Sequence, residues 1–358
     1  MPPLGRLKAV AQLSITRWRE VYPTHQPLGI YNAYVPVELF EAAGLTPVYL
    51  FHQAGESGHT RVHLPAFCCW PGRSLVDQAL AGVLDELVAI ALGQTCDLVQ
   101  ALTDIWRKVM PAVPLYHVGV PGSLAGRAAE TYFVAELERL REKLGRPSDD
   151  ALHGAIAASN RTRQLMEHLY LRAADLRPTD LYSVLRAGLT MPRDAFNLSL
   201  AELLVALPAA ADGAPRLVLV GPHLADPMLF QVIEDAGARV VDDLLDVGHR
   251  YYAGRISEQG DPMTALVDHY LALPPTPTKY HPERRRAVYL VTLAVAMQAD
   301  GVVFARQKYC DPHGFDGVAL GAALAEAGVP YLVMELEGAS QAGQVRTRVE
   351  AFLEMAGG

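Results

Sequence analysis

Four cysteines carry most of the chemistry open to this 358-residue sequence: Cys68, Cys69, Cys96 and Cys310. Cys96 follows the apolar run ELVAIAL and opens an expected helix, CDLVQALTDIWRKVM. Cys310 follows the expected strand VVFA, in the loop RQKYCDPHGFD, ahead of a helix expected to start near Gly317. The pair Cys68-Cys69 falls in the loop HLPAFCCWPGR, again ahead of a helix. Cys96 and Cys310 thus stand just past the carboxyl ends of strands, where open parallel sheets place their ligands. Backbone N–H groups and the positive helix end at such a place stabilise thiolates and an anionic metal cluster. Three loop cysteines from two sheets are candidates to converge on one cleft. The competing reading of any single one is a small buried core residue. A structural zinc site is a further alternative, although no Cys-x-x-Cys pair is present.

Other catalytic signatures are missing. The sequence has no Gly-x-x-x-x-Gly-Lys-[Ser/Thr] phosphate loop, no Gly-x-Gly-x-x-Gly after a first strand, no His-Glu-x-x-His and no Gly-x-Ser-x-Gly.

The elements that must position the cysteines follow one grammar, used three times: an amphipathic helix, a glycine stop, then a short apolar strand. It runs through Val35–Phe51, Asp226–Asp243 and Gly317–Glu337, with Gly44, Gly237 and Gly328 at the helix C-caps. Further strands are expected at Leu28–Tyr31, Glu86–Leu92, Pro114–Val118, Leu217–Val220 and Val302–Ala305. Alternation of strand and helix predicts an α/β protein with two open parallel sheets of the flavodoxin-like, doubly wound kind. A helix-rich stretch from Ala125 to about Leu207 separates them, with TYFVAELERLREKLG stopped at Gly145 and the next helix capped by Ser148. The Pro/Gly/Ala loop Pro208–Pro215 reads as a boundary. The expected division is therefore residues 1–124, an N-terminal α/β domain; 125–212, a helical insert packed on it; and 213–358, a C-terminal α/β domain.

Composition narrows the function classes. Half of the residues are hydrophobic (51%) and the formal charge is −8, which argues against a nucleic-acid surface with its surplus of cations. The basic run Arg284-Arg285-Arg286 reads as a solvated face at a helix start. No stretch approaches the length of a membrane helix, and MPPLGRLKAVAQLSITRWRE lacks a signal-peptide core. The expectation is a cytoplasmic protein with reduced thiols.

At these residues the sequence resembles the 2-hydroxyacyl-CoA dehydratase component D family, which includes benzoyl-CoA reductase core subunits. The words that carry the resemblance are VPVELFEAAGLTPVYL, HLPAFCCWPGRSLVDQALAG with Cys69, Arg73 and Asp77, LDELVAIALGQTCDLVQALTDIWR, IEDAGARVVDDLLDVGHRYY, ADGVVFARQKYCDP and QVRTRVEAFLE. They run almost end to end, the helical middle being undiagnostic. The resemblance implies a [4Fe–4S] cluster held by three cysteines, here Cys69, Cys96 and Cys310, with Cys68 the alternative to Cys69. Arg73 and Asp77 keep register with Cys69. It implies a lyase or oxidoreductase subunit working on an acyl-CoA, paired in a heterodimer with a paralogous subunit and supplied with one electron by an ATP-hydrolysing activator. Three thiolates leave one iron open to bind a thioester carbonyl or a substrate hydroxyl as a Lewis acid. One electron added to a thioester gives a ketyl radical anion that expels a β-placed leaving group after deprotonation, or accepts further electrons into a conjugated ring.

Dehydratase and aryl-CoA reductase both fit these words, with DIWR and HLPAF closer to the reductase branch. A different class of reading is an electron-relay or scaffold subunit whose cluster is closed by a fourth ligand such as Cys68 or His313; another is a metal-free α/β binding protein. Glu38 is a candidate acid/base or, equally, a first-turn carboxylate favoured by the helix dipole. His313 is a candidate pocket residue. Lys308 and Arg306 are candidates for cluster or CoA-phosphate charge, against the reading of plain surface cations. Arg346 and Arg348 are candidates for an inter-subunit ion-pair network.

Overall fold

The computed structural model describes residues 1–52, 59–209, 213–222, 227–283, 285–337 and 342–356, apart from the side chains of residues 59 and 61. Asp226, Arg284 and part of the Pro208–Pro215 loop lie outside the described residues. The first sheet contains β1 (Pro27–Tyr31), β2 (Thr46–Tyr49), β3 (Ala89–Gly93) and β4 (Leu115–Val118), in the spatial order β2-β1-β3-β4. The second contains β5 (Arg216–Gly221), β6 (Arg239–Leu245), β7 (Gly301–Gln307) and β8 (Tyr331–Leu336), in the order β6-β5-β7-β8. Every pairing is parallel. The chain therefore folds as the α/β class expected, with a helical segment between two sheets of the same winding.

In β5 and β7 of the second sheet, alternate residues face different cores, as the two-residue repeat of a strand requires. Leu217, Leu219, Val240, Val303 and Ala305 join the large core, whereas Val218, Val220, Val241, Val302 and Phe304 pack with Leu290, Leu320 and Leu324 on the other face. Both faces are covered, which explains why these strands read as nearly unbroken apolar runs.

The three glycine stops share one geometry. Gly44, Gly237 and Gly328 have φ of +82°, +77° and +69°. The residue after each donates its N–H back five positions: Leu45 to Phe40 (3.0 Å), Ala238 to Ile233 (3.1 Å) and Val329 to Leu324 (2.9 Å). This closes the last turn of each helix and aims the chain into the next strand. A second glycine pair sits where the strand order reverses. A Cβ on Gly93, ending β3, would meet the Ala33 carbonyl at 2.5 Å, and one on Gly221, ending β5, the Ala305 carbonyl at 2.8 Å. Close backbone approach at both switch points needs a residue with no side chain.

The intervening segment holds the helices Arg127–Lys143, Asp149–Tyr170, Pro178–Gly188 and Arg193–Ala206. Ser148 caps the second, its Oγ accepting from the Ala151 N–H at 3.2 Å. Among the described residues no helix is long and apolar enough to cross a membrane.

Three local expectations need correction. The strand expected over Glu86–Leu92 starts only at Ala89, because Leu84 and Leu87 are held in turns that follow Gly82. The helix expected near Gly317 starts six residues earlier, at Asp311, with Pro312 in its first turn, where the missing proline N–H costs nothing. Arg286 is not part of a solvated face: it is buried, its Nε donating to Asp316 Oδ2 at 2.9 Å and its Nη1 to the Pro275 carbonyl at 2.7 Å.

Two glycine substitutions should move stability in opposite directions. Gly237→Ala places a Cβ at φ +77° and should destabilise by about 1 kcal/mol. Gly154→Ala, in the exposed middle of Asp149–Tyr170 with nothing near its Cβ, should stabilise by roughly 0.5–1 kcal/mol. Urea denaturation of the two variants checks both signs.

Candidate functional site: three cysteines at helix N-termini

Each of the three expected ligands is the residue that opens a helix. Cys69 precedes Trp70–Leu80, Cys96 precedes Asp97–Val109, and Cys310 precedes Asp311–Glu326. Their carbonyls accept the first helical N–H groups, from Arg73 (3.3 Å), Gln100 (3.1 Å) and Gly314 (2.9 Å). None of the thiols closes a side-chain cap hydrogen bond. Backbone N–H groups of the first turns nevertheless face them and favour the thiolate: Gly72 toward Cys69, Val99 and Leu98 toward Cys96, His313 toward Cys310. An N-cap position supplies unpaired amide donors and the positive end of the helix dipole together.

Burial nevertheless dominates. It pushes the Cys69 thiol up to about 11, with the nearby Cys96 and Cys68 adding to the effect. It pushes Cys310 up to about 12, helped by Cys69, Asp246 and Cys96. Cys96 is raised as well, first by burial and then by Asp97, against its amide neighbours and the Thr95 hydroxyl. Tyr31, at the end of β1 and almost fully buried, has its phenol held far above the ordinary range by burial and then by Cys69, Tyr49, Cys96 and Cys310. One buried ring at the first switch point is thus influenced by all three cysteines. Cys68 lies beside Cys69 and is raised by burial and by Cys96, with Arg73 opposing.

Local packing explains how separate helices bring their N-termini together. A Cβ on Gly72 would meet Leu98 Cδ2 at 2.5 Å, so the helices opened by Cys69 and Cys96 touch where a side chain is missing. Asn32, at φ +75° after β1, donates from Nδ2 to Thr95 Oγ1 at 2.9 Å. That bond ties the end of β1 to the residue before Cys96. From the second sheet, His313 Nε2 lies 3.2 Å from Asp246 Oδ2, and Arg250 stacks over the Tyr34 ring of the first half at 4.3 Å. Lys279 Nζ donates to the Val120 carbonyl at 3.0 Å; burial lowers its pKa to about 8, and the Cys96 thiol opposes that shift.

Among the described residues no group of three or more His, Cys, Asp or Glu side chains is close enough to hold a single metal ion. A polynuclear cluster asks for a wider frame, because each ligand sulfur binds a different iron. The donor set fits such a group chemically: thiols alone, half-buried, with amide N–H groups directed at sulfur.

The remaining candidates are placed as follows. Glu38, in the first turn of Val37–Ala42, is completely buried. It accepts from Ser159 Oγ (2.6 Å), Arg163 Nη2 (2.8 Å) and Tyr270 Oη (2.8 Å). Burial would raise its carboxyl, but Arg163, Arg193 and the Ser159 hydroxyl outweigh that and hold it at about 2. Arg306 and Lys308 pair with Glu335 and Glu337 across the β7–β8 edge, each at 2.6 Å. Arg346 pairs within the chain with Asp235 at 2.6 Å, and Arg348 donates to the Val333 carbonyl at 2.7 Å. Asp77 Oδ1 accepts the Thr60 N–H at 3.0 Å. A cavity of about 580 Å³, lined by Tyr22, His25, Glu41, Thr46 and Arg193 among others, opens at the start of β2, the opposite end of the sheet from the cysteines. Within its lining Arg193 is paired with Glu41, Nε to Oε1 at 2.8 Å.

Sequence reasoning missed Tyr31, Asn32, Thr95, Gly72 and Lys279. The first four are adjacent to recognisable elements, but their roles depend on which helices touch. Lys279 lies nearly two hundred positions from Cys96, in a proline-rich loop with no chemical signature of its own.

Comparison with known proteins gives a consistent result. The family described as 2-hydroxyglutaryl-CoA dehydratase, D-component, matches residues 32–356. A benzoyl-CoA reductase subunit of Thauera aromatica is 29% identical over 359 residues, covering 94% of this chain and 92% of that protein. The (R)-phenyllactyl-CoA dehydratase beta subunit of Clostridium sporogenes is 25% identical, over 91% of each chain. The beta subunit of (R)-2-hydroxyglutaryl-CoA dehydratase from Acidaminococcus fermentans is also 25% identical, again over 91% of each.

The geometry around Glu38 yields a pH-dependent stability. Its folded pKa, about 2, is depressed below the ordinary value of 4.5. Its stabilisation is therefore fully present at neutral pH and is lost as pH falls through 4.5 toward 2. Glu38→Gln should cost on the order of 3 kcal/mol at pH 7, and the difference from wild type should shrink toward zero in acid. Paired denaturation curves across that pH range measure it.

Proposed function

The chain belongs to the 2-hydroxyglutaryl-CoA dehydratase D-component family, and from that premise we propose that it is an iron–sulfur subunit of an acyl-CoA enzyme, holding one [4Fe–4S] cluster on Cys69, Cys96 and Cys310. The observation that carries this reading is that one buried residue, Tyr31, feels those three thiols together, each at the start of a helix. Cys69 is the preferred first ligand because Arg73 and Asp77 keep register with it, and Cys68 is the alternative.

When bound, such a cluster supplies a one-electron store and an iron open to a thioester oxygen. The chain's own residues do the rest. Amides of Gly72, Leu98, Val99 and His313 donate toward the ligand sulfurs. Arg250 on Tyr34 joins the second half to the first, and the Asp246–His313 pair holds the start of the helix opened by Cys310. Glu38 acts as an anchor: with its oxygens bonded to Ser159, Arg163 and Tyr270, it ties the first half to the helical segment and to the helix Pro262–Ala272.

The reaction is the dehydration of a 2-hydroxyacyl-CoA or the reduction of an aryl-CoA. The relatives include both kinds, and the Thauera reductase protein is the more similar of those compared. In the cytoplasm the chain works as a heterodimer with a paralogous subunit, and an ATP-dependent activator supplies the electron; the names of the relatives, each one part of a larger enzyme, support the assembly. The relay reading, with a closed cluster, needs a fourth ligand; His313 Nε2 is occupied by Asp246, which leaves Cys68 for that role.

Cysteine-to-serine variants, purified without oxygen, test the ligand set. Cys69→Ser, Cys96→Ser and Cys310→Ser should each lose bound iron while far-UV circular dichroism stays native. Cys68→Ser should keep it. Full iron in all four variants overturns the three-thiol model, and iron lost with Cys68→Ser but kept with Cys69→Ser moves the first ligand to Cys68.

A further inference from the structure

The stretch 273–283, LPPTPTKYHPE, leaves the helix Pro262–Ala272 and crosses to the edge of the first sheet. It is fastened on both sides of Lys279. The Thr276 N–H donates to Tyr34 Oη at 3.2 Å, and the Lys279 N–H folds back onto the Thr276 carbonyl at 3.0 Å. Beyond it, Tyr280 forms a parallel bridge with Ser123: its N–H donates to the Gly122 carbonyl at 2.9 Å and its carbonyl accepts from Leu124 at 2.8 Å. Pro277 restricts the backbone between these fastenings, and Pro274 and Pro275 restrict it just before them. The strap is thus held at a fixed place, and Lys279 with it.

That place is beside Cys96. Lys279 Nζ donates to the Val120 carbonyl at 3.0 Å. Val120 follows β4, the neighbour of β3, and the Gln94 N–H just past β3 donates to the Val118 carbonyl at 2.9 Å. Cys96 lies two residues on. Arg286 is paired with Asp316 and Lys308 with Glu337, and Arg73 acts on Cys68 and Cys69. Lys279 is half-buried; burial lowers its pKa to about 8, and Cys96 opposes that shift.

We propose that Lys279 is a positioning residue of the cysteine pocket: its ammonium, docked on Val120 beside Cys96, offsets the negative charge of a cluster held there and raises that cluster's reduction potential. The proposal rests on the cluster reading given above. A cluster on three thiolates is an anion, and accepting an electron makes it more negative. A fixed cation nearby therefore favours the reduced form over the oxidised form, most strongly where water is partly excluded.

Anaerobic wild type, Lys279→Gln and Lys279→Arg, each assayed for iron and titrated with dithionite while the reduced cluster is followed by electron paramagnetic resonance, provide the test. All three should bind equal iron. At a fixed applied potential, Lys279→Gln should show at least a tenfold lower ratio of reduced to oxidised cluster, a negative shift of about 59 mV for one electron, and Lys279→Arg should stay near wild type. Iron lost from Lys279→Gln but kept by Lys279→Arg expresses the same charge requirement at assembly and supports the proposal. An unchanged midpoint in Lys279→Gln at full iron overturns the proposal alone, as does a loss of iron in both variants. A wild type without iron overturns it together with the cluster reading, and the two failures are told apart by the wild-type assay.

Discussion

Thiols that resist ionisation are the constraint from which the rest of the molecule follows. Cys69 and Cys310 are pushed up to about 11 and 12 by burial and by one another. Three thiolates in such a place repel, and only a strong cationic centre can draw the protons off them. The fold meets this with amides: each cysteine opens a helix, so unpaired N–H groups and a helix dipole point at each sulfur. The site thus holds donors for anionic sulfur, and in the cluster reading proposed above a metal centre would supply the positive charge.

Bringing three helix starts together requires two sheets to present their carboxyl ends to one another. Both sheets place their first and third strands side by side, with Gly93 and Gly221 allowing the close backbone approach at those points. The halves are then locked at some distance from the thiols. The buried Glu38–Arg163 pair, joined by Ser159 and Tyr270, links three segments far apart in sequence. The strap around Lys279 and the stacking of Arg250 on Tyr34 complete the closure. A buried ion pair of this sort contributes little net stability compared with an apolar contact, but it specifies one docking geometry. A multi-ligand site needs that geometry.

Much of this was legible from the residues. The repeated helix–glycine–strand grammar located the C-caps at Gly44, Gly237 and Gly328, because a left-handed backbone leaves a chemical mark. The positions of Cys96 and Cys310 after apolar strands followed from periodicity alone. Less was legible where long-range contacts override local signals. Arg286 looks like part of a solvated basic run until Asp316 and the Pro275 carbonyl surround it. The early start of the Cys310 helix depends on a tolerance for Pro312 that the surrounding Gly-rich stretch obscured. Tyr31, Thr95 and Lys279 carry no motif; their place near the thiols is a property of the packed chain.

The central claim is that this chain binds one cluster through three thiols, and chemical quantification of iron and acid-labile sulfide in anaerobically purified protein tests it most directly. The account predicts brown protein with about four iron and four sulfide per chain. Colourless protein containing neither, prepared under the same exclusion of oxygen, would contradict it.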